Sequence, residues 1–104
     1  MEEHKHELIV CIVNAGFSQN VMEAARSAGA QGGTIIRARG SANPEAEEFF
    51  GINIQSDKEM LMILVPKAIK DAVLKAVYKN CGLADEAKGI AFSLPVNRTT
   101  TIKE

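Results

Sequence analysis

Two short apolar runs, Leu8-Ile9-Val10-Cys11-Ile12-Val13 and Met60-Leu61-Met62-Ile63-Leu64-Val65, constrain this 104-residue chain more than any other feature. Each has the length of a strand, and neither leaves a polar face. A strand that is apolar on both sides has to be covered on both sides. Helices packed on one face of a sheet satisfy half of that requirement. In a chain of one-domain length the natural cover for the other half is a second copy of the same chain.

The segments between the runs alternate in type. Asn14-Ala15-Gly16 breaks the first run. Ser18 is placed to cap a helix whose apolar stripe is Val21, Met22, Ala25 and Ala28, with Gly29 as its stop. Thr34-Ile35-Ile36-Arg37-Ala38-Arg39 reads as a second strand, with Ile35, Arg37 and Arg39 on one face and Thr34, Ile36 and Ala38 on the other. Residues 40–51 hold Asn43-Pro44 and an acidic cluster, the pattern of a long loop with one helical turn. Residues 52–55 and 58–65 are strand-like, with Ser56-Asp57 between them. Pro66 opens a second helix in which Ile69, Ala72, Val73, Ala76, Val77 and Asn80 recur at three and four, and Gly82 closes it. Residues 91–96 form the last strand, and Pro95 confines it to an edge or to its own end. The order β-α-β-β-α-β predicts an α+β, ferredoxin-like fold: a four-stranded antiparallel sheet with two helices on one face. One domain spans 1–104, with 1–6 and 98–104 expected to be flexible.

Composition excludes several classes of function. A net charge of -1 supplies no basic field for nucleic acid, and the absence of Trp leaves few platforms for bases. The charged start of the chain is unlike a signal peptide, and no apolar run approaches a membrane span. A cytoplasmic location without membrane insertion is therefore expected. Cys11 and Cys81 are too few for a disulfide framework and read as buried, inert thiols. Five serines have no histidine to partner them inside the folded region, so catalysis is not expected. His4 and His6 could share a strand face as metal ligands, but a solvated terminus accounts for them better. Met60 and Met62 read as core. Arg37 and Arg39 suit a phosphate or carboxylate, and ion pairs between subunits fit equally well.

Several segments together resemble the P-II nitrogen regulatory proteins. They are Gly29-Ala30-Gln31-Gly32-Gly33-Thr34, the Arg39-Gly40 entry to the loop, Lys58 opening the third strand, Pro66, and Gly89-Ile90-Ala91-Phe92. The resemblance covers residues 8–98. It implies a homotrimer that binds ATP or ADP, often with 2-oxoglutarate, in clefts between subunits, and AMP is a further candidate effector for this chain. It also implies a loop that docks on a regulated target such as a transporter or metabolic enzyme, in nitrogen metabolism. Carried over, Thr34, Gly40, Lys58 and Leu64 fall on one wall of the cleft, and Lys88, Gly89, Arg98 and Lys103 near the phosphates. Ser41, Asn43, Glu45, Glu48, Phe49 and Phe50 fall on the docking loop, although Glu45, Glu47 and Glu48 also fit a solvated helical turn. No cofactor is required on this reading.

The chain departs from the family in three places. The family's Gly-Asp-Gly-Lys phosphate loop is Ala87-Lys88-Gly89-Ile90 here, lacking a glycine and the expected lysine. The basic tail is thin, and the loop is short and lacks the tyrosine that the family modifies, since Tyr78 belongs to the second helix. These departures keep two alternatives open: a sensor of bicarbonate or a metal on the same fold, and a metal-binding trimer like the CutA family.

Overall fold

The computed structural model describes residues 4–41, 57–82 and 87–100. Its elements are β1 (His6–Asn14), α1 (Ser18–Ser27), β2 (Thr34–Arg39), β3 (Asp57–Pro66), a 3-10 turn (Lys67–Ile69), α2 (Lys70–Cys81) and β4 (Ile90–Val96). The strands form one antiparallel sheet in the order β2-β3-β1-β4, the ferredoxin-like arrangement that the pattern predicts. The two apolar runs are the two central strands, paired as Ile9 with Ile63 and Cys11 with Leu61. As central strands they are paired along both edges, and one face of each lies under the helices. β4 lies at the edge, where Pro95 needs no donor to a further strand.

Both helices lie on one face of the sheet. Ile9, Cys11, Val13, Leu61, Ile63 and Val65 turn to that face and pack with Val21, Met22, Ala25, Val73, Val77 and Cys81 in a single core. The stripe of α2 is displaced from the expected one: Ala72 and Asn80 are exposed, and Cys81 is buried in their place. The helix start differs from expectation as well. Pro66 keeps an extended backbone as the last residue of β3, and a 3-10 turn intervenes before α2 begins at Lys70.

The ends of α1 contrast. Its C-terminus is closed by the backbone alone: Gly29 adopts φ +109, its N–H reaches Arg26 O at 3.0 Å, and Ala30 N–H reaches Ala25 O at 3.1 Å. This is the double closure that a left-handed glycine allows. At the N-terminus Ser18 is the first helical residue and provides no side-chain cap, contrary to expectation. Glu59 of β3 does so instead, its Oε1 accepting from Gly16 N at 2.9 Å and Ser18 N at 3.3 Å.

The other face of the sheet is built from Leu8, Val10 and Ile12 of β1, Met60, Met62 and Leu64 of β3, Thr34 and Ile36 of β2, and Ile90, Phe92 and Leu94 of β4. Nothing in the chain's described residues covers it. Ile36 is 37% exposed, Ile90 51%, Phe92 43% and Leu94 49%. Met60 and Met62 are half-buried members of this open face rather than core residues.

The histidines also differ from expectation. His6 is the first residue of β1 and is buried. His4 is hydrogen-bonded to the carboxylate of Glu7, itself buried, in place of the solvated terminus predicted for both. Cys11 and Cys81 are free and buried, and burial with Cys81 nearby pushes the Cys11 thiol up to about 11.

Candidate functional site

Strand direction brings the ends of several elements together at one end of the sheet. β1 ends there at Asn14, β2 ends at Arg39 and continues into Gly40 and Ser41, β3 starts at Asp57, and β4 starts at Ile90 after the Ala87-Lys88-Gly89 turn. Gly40, Ser41, Lys58, Lys88 and Gly89 therefore share this end. Thr34 and Leu64 sit on the open face near the opposite end, and exposed Arg98 follows β4 there. Within one chain the candidate residues thus form two groups. Asn43, Glu45, Glu48, Phe49, Phe50 and Lys103 lie outside the described residues.

The polar end of the sheet is ordered by hydrogen bonds to the β1–α1 turn. Lys58 Nζ donates to Asn14 Oδ1 at 2.6 Å, across the strand pair that places the two residues opposite each other. Ala15 N–H donates to Asp57 O at 3.0 Å, and Asn14 N–H donates to Ala87 O at 2.8 Å. A groove of about 330 Å³ opens beside this turn, lined by Gly16, Arg37, Asp57, Lys58 and Glu59 among others. Arg37 stands opposite Glu59 in register, and Arg39 opposite Asp57. Both arginines thus face an acidic residue of the same chain, a cross-strand arrangement absent from the sequence reading.

The turn before β4 is sterically determined. Gly89 N–H donates to Cys81 O at 3.0 Å, satisfying the last carbonyl of α2. A Cβ on Gly89 would lie 2.0 Å from that oxygen and 3.0 Å from Val13 Cγ1, so only glycine fits against α2. Lys88 just before it has φ +50, the left-handed region in which glycine is at ease and lysine is not. The backbone at position 88 thus has the conformation of a glycine turn although the residue is lysine. With Gly89 committed to Cys81, the turn offers fewer N–H groups to an anion than a glycine-rich loop would.

The family model of the nitrogen regulatory protein P-II matches residues 6–104. The chain belongs to the P-II family. Among solved structures, P-II of Arabidopsis thaliana bound to citrate superposes with a TM-score of 0.67 at 22% identity, covering 95% of this chain and 84% of that one. The P-II-like protein CPII of Thiomonas intermedia K12, bound to ADP, AMP and bicarbonate, gives 0.68 at 14% identity, covering 95% and 98%. These identities speak to the fold alone. No curated protein matches the sequence. P-II family proteins are signalling regulators, and among the described residues of this one no three His, Cys, Asp or Glu side chains gather as a metal site would require. None of its described helices is long and apolar enough to cross a membrane.

Sequence reasoning missed two residues of this end. Glu59 was passed over as part of a strand, and Asn14 as a breaker after one. Their roles depend on partners more than 40 residues away, and such partners become visible only once the register of β1 on β3 is known.

Proposed function

We propose that this P-II family chain is a homotrimeric regulator that senses an adenine nucleotide, ATP, ADP or AMP, in clefts between subunits. On this reading it passes occupancy to a regulated transporter or metabolic enzyme through the 40–51 loop, in nitrogen metabolism and in the cytoplasm. The observation that supports it best is the convergence of Gly40, Lys58, Lys88 and Gly89 at one end of a sheet whose open face is apolar across all four strands. That face calls for a cover, and a second and third copy would bring Thr34, Leu64 and Arg98 of neighbouring subunits toward a shared cleft. The effector would switch the loop by binding one arrangement better than another, since only differential affinity shifts a population. Native mass spectrometry should give a trimer, and calorimetric titration with ATP, ADP and AMP should give saturable heat. A monomer, or no heat with any of the three at millimolar concentration, would refute it.

A second reading is favoured by the turn before β4. Gly89 N–H is held by Cys81 O, and Ala87 stands where the family's phosphate loop has its first glycine, which suits a small anion such as bicarbonate better than a polyphosphate. The Thiomonas protein binds bicarbonate together with nucleotides. Bicarbonate titrated with and without ADP separates the two readings.

A further inference from the structure

Lys58 does not project freely from the end of the sheet; its ammonium rests on a side chain of the neighbouring strand. Asn14 is nine-tenths buried, faces Lys58 across the β1–β3 pair, and accepts from Nζ at 2.6 Å. Only the amide oxygen can accept from an ammonium, so the chemistry fixes which way the Asn14 amide is turned. The same residue is tied through its backbone to the turn before β4, with N–H to Ala87 O at 2.8 Å, and to the start of α1, with O accepting from Phe17 N at 3.2 Å.

We propose that Asn14 is the positioning residue of the anion site: it holds Lys58 in reserve when the site is empty and reports its release to the Ala87-Lys88-Gly89 turn. The proposal rests on the reading of Lys58 as an effector-binding residue. An anion that draws the ammonium out of reach of Asn14 Oδ1 must break that contact. Its affinity is therefore the intrinsic one reduced by the strength of that contact. Once Lys58 leaves, the Asn14 side chain loses the ammonium from which Oδ1 accepts. Its peptide, which supports Ala87, then shifts its share of the load to the turn. Lys58 and Lys88 of the turn, 30 residues apart in sequence, are coupled through one side chain.

Two variants move the contact in opposite directions. Asn14→Asp replaces a neutral acceptor with a carboxylate and clamps Lys58 more tightly. Asn14→Ala removes the acceptor and leaves the ammonium uncommitted. A hydrogen bond to a charged group is worth enough to change an equilibrium about tenfold. ADP and bicarbonate, titrated calorimetrically, should therefore bind about tenfold more weakly to N14D and as tightly or more tightly to N14A than to the wild type. Ligand-induced change in hydrogen exchange of the residue-14 amide should be present in the wild type and absent in N14A. In a Lys58→Gln background the two variants should no longer differ. A residue that merely supports the fold would weaken binding in both variants.

A second readout needs no effector. Acetic anhydride should label the Lys58 amine fastest in N14A and slowest in N14D, with exposed Lys75 and Lys79 of α2 as internal references. If neither ADP nor bicarbonate binds the wild type, the effector reading fails, while the labelling order still decides whether Asn14 holds Lys58. Equal Lys58 labelling in the three proteins, or an affinity shift of the same sign in both variants, overturns the proposal.

Discussion

The sheet presents two faces made of similar residues in the same strands, and they end in different states. Ile63 on one face and Met62 on the other are chain neighbours, yet Ile63 is fully buried under the helices while Met62 is half-buried in the open. On the covered face, α1 and α2 supply Val21, Met22, Val73 and Val77, and the core is complete within one chain. On the open face, Ile90, Phe92 and Leu94 of the edge strand are exposed beside Val10 and Ile12. Alternation alone cannot distinguish such faces, because both are apolar. The difference is set by which face the two crossovers place their helices on. An apolar face left over after that choice is a surface for association.

The comparison is broken most severely by placing charge on the open face. Phe92→Lys puts an ammonium in the middle of β4, between the rows of Ile90 and Leu94. In the monomer its stem can lie along the sheet with the charge in water. In an assembly closed on this face the charge would be buried without a partner, a penalty of several kcal/mol per copy. The expected outcome is a folded monomer by size-exclusion chromatography with light scattering, its circular dichroism spectrum preserved. A trimer that survives this substitution would move the subunit interface away from the sheet. The next largest effect separates the two neighbours. Ile63→Ala should destabilise the fold by about 4 kcal/mol through the cavity it leaves under the helices. Met62→Ala should cost the isolated chain about 1 kcal/mol, since half-buried methylene groups lose less. Urea denaturation of both in the Phe92→Lys background measures the faces without interference from assembly.

The covered face also carries a pH signature. The Cys11 thiol is raised by burial and by Cys81 to about 11 from an ordinary value of 9.0. A group whose folded value lies above its unfolded one stabilises fully below the unfolded value. Here that contribution is present below pH 9 and is lost as pH rises toward 11. Two pH units correspond to at most about 3 kcal/mol. Stability measured against pH should therefore decline between 9 and 11, and Cys11→Ala should flatten that part of the decline. No matching effect is expected from the open face, which has no cysteine.

Much of this fold was legible because strands and helices impose different periods. The second strand was read to its exact length as Thr34–Arg39, and the third differs only by Asp57 and Pro66 at its ends. The need for a cover beyond the helices followed from two runs that lack a polar face. What could not be read was anything set by register. The cap of α1 was assigned to Ser18, the local candidate, because a glutamate 41 residues away could be recognised only once β3 was docked beside β1. Asn14 looked like punctuation for the same reason. The histidines misled in another way: a charged stretch at a chain start suggests a solvated tail, but His6 pairs with both Pro66 and Val96 and begins the central strand. Among the site residues, the glycine-like conformation of Lys88 has no sequence signal, since lysine is not a residue that marks φ > 0.

The smallest effect tests the polar rim of the covered face, where Glu59 shares the helix side of β3 with Leu61 and Ile63. Its carboxylate accepts from Gly16 and Ser18 N–H groups at the positive end of α1, and a charge there is stabilising for two separable reasons. The hydrogen bonds satisfy donors that the helix start leaves open. The negative charge also interacts with the helix dipole. Glu59→Gln keeps an amide oxygen able to accept but removes the charge, so it should cost about 0.5 kcal/mol. Glu59→Ala removes both contributions and should cost about 1 kcal/mol or more. The difference between wild type and Glu59→Gln isolates the dipole contribution, which should shrink as salt rises, while the difference between the two variants isolates the hydrogen-bond contribution, which should stay. Equal destabilisation by Gln and Ala would mean that the charge alone holds α1 to the sheet. Equal stability of Gln and wild type would mean that the contact is a hydrogen-bond cap supplied from another strand.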